Sequence, residues 1–142
     1  MPVVRFHLNS TLSPSAVLAV LTDFGPSRAR DWPTIDAEHL QVHELGENWA
    51  EVTEGTASAW ERARYDWDAA TGRVAITTLD SKVFGPGGGW VFQLTENGAG
   101  TRVDVELTRR PATFTRKLLA ALLPLVGPAS LRKAFRGPLK AV

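Results

Sequence analysis

The sequence has no cysteine in its 142 residues. That absence removes disulfides, thiolate metal sites and cysteine nucleophiles together. It also leaves the compartment undetermined by redox argument, so a cytoplasmic location is the default expectation. No basic segment followed by an apolar stretch opens the chain, which begins Met1-Pro2-Val3-Val4-Arg5-Phe6-His7, and no secretory signal is expected. The longest apolar stretch, Leu118 to Pro128, is short of the about 20 residues that a bilayer-spanning helix requires. Internal repeats and low-complexity segments are lacking as well.

Acids are missing from one region. The first 108 residues hold all 15 Asp and Glu and half of the 16 Lys and Arg, whereas the last 34 hold the other half and no acid. A net charge of +1 therefore conceals an acidic body and a basic C-terminal segment. Such asymmetry points to contact with an anionic membrane surface or an acidic partner through Arg132, Lys133, Arg136 and Lys140. The plainer reading is that a basic helix complements an acidic body. Nucleic acid is not expected, because exposed aromatics do not interleave with the basic stripe.

What is present is enough for one core: 44% of the residues are hydrophobic, and the length suits one domain spanning residues 1–142. Val4, Phe6 and Leu8 alternate with Arg5, His7 and Asn9, predicting a half-buried strand over residues 3–9. Ser13-Pro14 reads as a helix cap followed by proline at the first helical position. That helix ends near Thr22, and one further turn is expected over Ser27 to Asp31. Strands follow near 39–45, 49–54, 58–67, 73–79, 89–96 and 101–109, separated by turn residues. Among these, Asn97-Gly98 is the strongest hairpin signal. After Arg110-Pro111 the period becomes helical: Phe114, Leu118, Leu122 and Leu125 share one face, Pro124 predicts a kink, and Gly127-Pro128 an interruption or restart.

This element order resembles the helix-grip arrangement of the START-like (SRPBCC) superfamily, which includes polyketide cyclase/dehydrase and lipid-transport-like proteins. The resemblance covers the whole chain. It is carried by the order itself and by Ser13-Pro14-Ser15-Ala16-Val17-Leu18, Trp32-Pro33, Tyr65-Asp66-Trp67-Asp68, Gly100-Thr101-Arg102-Val103 and the terminal helix. It implies an α+β fold: a curved antiparallel sheet of about six or seven strands around a long C-terminal helix, with short helices after the first strand. Between sheet and helix it implies a cavity for a small hydrophobic molecule.

Alternation then selects candidate ligand contacts. Trp90, Phe92 and Leu94, and Val103, Val105 and Leu107, are expected to face inward. For residues 58–67 the inward set is taken as Ala59, Glu61, Ala63, Tyr65 and Trp67, because burying Arg62 and Arg64 costs more than burying one carboxylate. Thr78 and Asp80 join that side if their strand stays regular. The expected ligand-binding set is thus Glu61, Tyr65, Trp67, Thr78, Asp80, Trp90, Phe92, Leu118 and Leu122, with about two of the five tryptophans lining the pocket.

The leading expectation is a non-catalytic binding or carrier protein for a lipid, polyketide or similar hydrophobe. The alternative is an aromatase/cyclase-like enzyme in which Glu61 and Tyr65 move protons. Against it, Glu61 at the rim paired with an arginine has no further role. His39 and His43 meet only if that segment is helical, so no metal is expected. The Gly85-Pro86-Gly87-Gly88-Gly89 run lacks the Lys-Ser/Thr of a phosphate loop and reads as a flexible loop beside the cavity mouth. No cofactor is implied.

Overall fold

The computed structural model describes residues 3–111 and 128–141. Seven antiparallel strands form one curved sheet in the order β1-β7-β6-β5-β4-β3-β2. They are β1 Val3–Ser10, β2 Gln41–Leu45, β3 Trp49–Glu54, β4 Glu61–Asp68, β5 Arg73–Ser81, β6 Phe84–Asn97 and β7 Gly100–Pro111. β1 pairs with the last strand, Val3 opposite Thr108 and Ser10 opposite Thr101.

One face of this sheet is apolar, as period-2 patterning dictates. It carries Phe6 and Leu8 of β1, Val52 of β3, Ala63 and Tyr65 of β4, Val74 and Ile76 of β5, Phe92 and Leu94 of β6, and Val103, Val105 and Leu107 of β7, all buried. The other face carries ion pairs: Arg62 with Glu51, Arg64 with Asp66, Arg102 with Asp104 and Arg5 with Glu106.

Helices cover the apolar face. In α1, Pro14–Leu21, the Ser13 hydroxyl accepts from the Ala16 N–H, Pro14 occupies the first turn, and Val17 and Leu21 are buried one helical turn apart. Helix α2, Ser27–Asp31, is the turn anticipated before Trp32-Pro33. Helix α3, Pro128–Arg136, has no acid in its first turn, and the interruption or restart expected at Gly127-Pro128 turns on residues outside the described ones. Its Leu131 and Phe135 are buried, while Arg132, Lys133 and Arg136 are exposed. The reading of a longer helix, with the kink at Pro124 and Leu118 and Leu122 on its inner face, lies outside the described residues.

Beyond α3 the chain returns to β1. Ser10 bridges to Ala141, the Thr11 N–H donates to the Lys140 carbonyl at 3.1 Å, and the Ser10 hydroxyl donates to the Leu139 carbonyl. Leu139 is fully buried. α3 is thereby anchored by its own C-terminal extension.

Three local expectations change. The segment Phe84–Gly89 belongs to β6 and is not a loop. Its glycines serve close backbone approach: a Cβ at Gly89 would lie 1.7 Å from the Ile76 carbonyl oxygen. The register slips between Gly85 and Gly89, and the strand continues through it. Residues 37–45 divide into a 3-10 turn, Ala37–His39, and β2, so the two histidines diverge. His39 contacts Asp36 at 2.6 Å and His43 contacts Thr53 at 2.7 Å. Finally, β5 contains a bulge: Arg62 pairs with Asp80 but Ala63 pairs with Thr78. The extra residue, Leu79, reverses the alternation, leaving Thr78 buried and Asp80 exposed on the outer face.

Candidate functional site

A cavity of about 410 Å³ lies between the inner face of the sheet and the helices. This volume falls within the usual range for small-molecule sites. Among the described residues its apolar wall comes from Leu21, Trp32, Ile35, Ile76, Trp90, Phe92, Leu107, Leu131 and Phe135. Phe135 of α3 is the centre of the aromatic part. Its ring lies 5.4 Å from Trp32, 5.5 Å from Trp90 and 5.8 Å from Phe92, in edge-to-face geometry each time. Trp60 also lines the cavity, so three of the five tryptophans do.

The polar wall is built where β3 and β4 meet. Alternation along β3 puts Ala50, Val52 and then Glu54 on the inner face, and along β4 Glu61, Ala63 and Tyr65. The register sets Glu54 directly opposite Glu61. Each carboxylate has its own arginine.

Arg28 of α2 serves Glu54. Its Nε donates to Glu54 Oε2 at 2.7 Å and its Nη2 to the Tyr65 hydroxyl at 2.8 Å, while Tyr65 donates to the Glu54 carboxylate. Nη1 donates to the Leu21 and Asp23 carbonyls at 3.2 and 3.1 Å, satisfying acceptors where α1 ends. Arg28 is only 5% exposed. Burial opposes its charge, but Tyr65 and Glu54 outweigh that and hold its pKa above the usual arginine value. Burial pushes the Tyr65 hydroxyl well above its ordinary pKa.

Arg109 of β7 serves Glu61. Nη2 donates to Glu61 Oε2 and Nη1 to Thr78 Oγ1, both at 3.1 Å, and the Thr78 hydroxyl donates to the second Glu61 oxygen. The guanidinium lies 4.6 Å from the Phe84 ring and 5.5 Å from the Trp90 ring. Its Nε is buried without a hydrogen-bond partner among the described residues.

The structure thus brings Glu61, Tyr65, Trp90 and Phe92 to one cavity, with Thr78 buried behind Glu61. Trp67 shares the inner face of β4 but packs against the core away from the cavity lining. Asp80 lies on the opposite face because of the Leu79 bulge, which corrects its expected place beside Thr78. Leu118 and Leu122 are outside the described residues. Sequence reasoning missed Arg28, Glu54 and Arg109. The last two had a signal, since each continues an inward period-2 series, Ala50-Val52-Glu54 and Val103-Val105-Leu107-Arg109.

No family model and no curated protein matches the chain. The likeness is to solved structures. A protein from Thermus thermophilus superposes with a TM-score of 0.79 at 17% identity, covering 98% of this chain and 95% of that one. The Zhui aromatase/cyclase from a Streptomyces species gives 0.68 at 18% identity, over 95% and 94%. A START superfamily protein from Mycobacterium smegmatis gives 0.66 at 12% identity, over 97% of both chains. The chain has the START-like helix-grip fold.

Proposed function

We propose that this START-like helix-grip fold binds a small hydrophobic molecule in the cavity between its sheet and its helices. The observation that carries the reading is the cavity itself: about 410 Å³ with a mainly apolar and aromatic lining. A recess of this volume, partly open to the surface and lined mainly by apolar side chains with a few polar groups, has the character of a small-molecule site. Binding is favoured over catalysis because both carboxylates in the wall are already committed to arginines, Glu54 to Arg28 and Glu61 to Arg109. A cyclase-like reaction needs a carboxylate or hydroxyl free to exchange a proton with substrate, and Asp80, expected among the ligand contacts, is paired in the sheet with Arg62 on the outer face.

The exposed Arg132, Lys133 and Arg136 of α3, with exposed Lys140, form a surface suited to an anionic membrane. Leu131 and Phe135 on the opposite side of the same helix line the cavity, so the docking helix is also a cavity wall. Each basic residue near an anionic bilayer contributes about 1 kcal/mol.

Native mass spectrometry of freshly purified protein tests the cavity, with a co-purified hydrophobe as the expected result. Thermal unfolding with a panel of hydrophobes gives the second arm, since a ligand at 100 times its Kd stabilises by about 2.7 kcal/mol. Absence of both a bound molecule and any stabilisation refutes the reading. For the basic surface, sedimentation with phosphatidylserine vesicles that weakens as salt is raised supports it, and salt-independent or absent binding removes it.

A further inference from the structure

Resting on the cavity reading above, we infer that the ligand is an uncharged hydroxyl-bearing molecule, a phenol or alcohol, whose O–H donates to the Glu61 carboxylate, making Glu61 the residue that sets ligand specificity. Glu54 and Glu61 both line the cavity, and the side chain of each keeps 16% of its surface accessible. The donors around them are turned elsewhere. Arg28, whose side chain is 4% accessible, spends Nε, Nη1 and Nη2 on Glu54, Tyr65 and backbone carbonyls. Arg109 has Nη1 on Thr78 and Nη2 on Glu61, its Nε is buried, and its guanidinium lies against the Phe84 and Trp90 rings. The Tyr65 and Thr78 hydroxyls are buried and used in both senses: Tyr65 accepts from Arg28 and donates to Glu54, and Thr78 accepts from Arg109 and donates to Glu61.

What this wall offers a ligand is therefore acceptor capacity. Each carboxylate oxygen has two acceptor sites. Among the described residues each Glu61 oxygen takes one donor, Oε1 from Thr78 and Oε2 from Arg109, whereas Glu54 Oε1 takes both Tyr65 and Arg28. A ligand oxygen that only accepts meets carboxylate oxygens and surrenders its hydration without replacement. Charge decides between a hydroxyl and an ammonium. The two carboxylates already balance Arg28 and Arg109 in two ion pairs, so a cationic ligand brings a third positive charge into a wall with no net negative charge left for it. A hydroxyl loses less hydration and still donates.

The test is calorimetric titration of the full chain with 2-naphthol, its methyl ether and 2-naphthylmethylammonium. They share one ring system: the first donates, the second only accepts, and the third donates with a charge. The expected order is 2-naphthol tightest, with the ether and the ammonium each weaker by about tenfold or more, tenfold being the low end for a hydrogen bond to a charged acceptor. Equal affinity for 2-naphthol and its ether overturns the inference while leaving the cavity reading intact. Tightest binding of the ammonium also overturns it. If none of the three binds, the inference falls, and the mass spectrometry and hydrophobe panel above decide the cavity reading separately. Glu61→Gln, which keeps an oxygen for Arg109 but removes the charged acceptor, is expected to bring the naphthol-to-ether ratio down toward one. An unchanged ratio in that variant overturns the assignment to Glu61, and the three probes on the parent decide the ligand class without it.

Discussion

Glu54 and Glu61 face each other directly across β3 and β4. Like charges opposed in an antiparallel pair repel, and here they are held by cations from elsewhere in the fold, Arg28 from α2 and Arg109 from β7. These ion pairs tie α2 to β3 and β7 to β4.

Removing one partner should therefore be worse than removing both. Arg28→Met is expected to lose about 3–5 kcal/mol in urea denaturation, because it leaves the Glu54 carboxylate and the Tyr65 hydroxyl without their buried cation. Adding Glu54→Gln should recover part of that loss. Strictly additive losses in the double variant would show that the two side chains do not act as a pair.

Tyr65 is the only tyrosine of the chain, so tyrosinate absorbance reports on it alone. Its folded pKa is raised by burial above the ordinary value near 10. Its contribution to stability is thus complete below about pH 10 and declines as pH rises from there toward the folded value. Tyrosinate should appear only well above pH 10 and together with loss of tryptophan fluorescence structure. A folded protein whose tyrosine ionises near pH 10 would contradict the buried Arg28–Glu54–Tyr65 cluster.

The Leu79 bulge predicts opposite outcomes at neighbouring positions. Thr78→Val removes the hydroxyl that donates to Glu61 and accepts from Arg109, and should cost about 1–3 kcal/mol. Asp80→Asn, exposed on the outer face, should stay within about 0.5 kcal/mol of the parent. Chemical denaturation of both decides the register; equal losses would refute it.

Phe135→Ala empties the centre of the aromatic cluster and should cost about 3–5 kcal/mol. It also enlarges the cavity, so an added bulky hydrophobe should raise the melting temperature of this variant more than that of the parent. The same gain in both proteins would place the ligand away from Phe135.

Local signals explain what could be read in advance. The alternation in β1 and the Ser13-Pro14 cap act within a few residues, and Asn97-Gly98 places Gly98 at φ +63 in its hairpin. The inner face of β4 followed from the cost of burying Arg62 and Arg64. Arg28 was hidden because Ser27-Arg28-Ala29-Arg30-Asp31 is polar apart from Ala29, and its partners Glu54 and Tyr65 are 26 and 37 residues away. Asp80 was misplaced because a bulge leaves no trace in a period-2 count. The glycine run at 85–89 suggested freedom where the backbone needs close approach.

The pairing of β1 with β7 also has a consequence in time. Val3 waits for Thr108, and at a synthesis rate of roughly 5–20 residues per second the first strand spends about 5–20 s on the ribosome without its sheet partner. Its apolar residues Phe6 and Leu8 are exposed to other chains throughout. Only when β7 has emerged does the sheet acquire its final edge, and the Ser10–Ala141 bridge is later still. A sheet whose earliest strand is completed by its latest is expected to fold slowly, in milliseconds to seconds rather than microseconds, with chaperone contact concentrated on that opening segment.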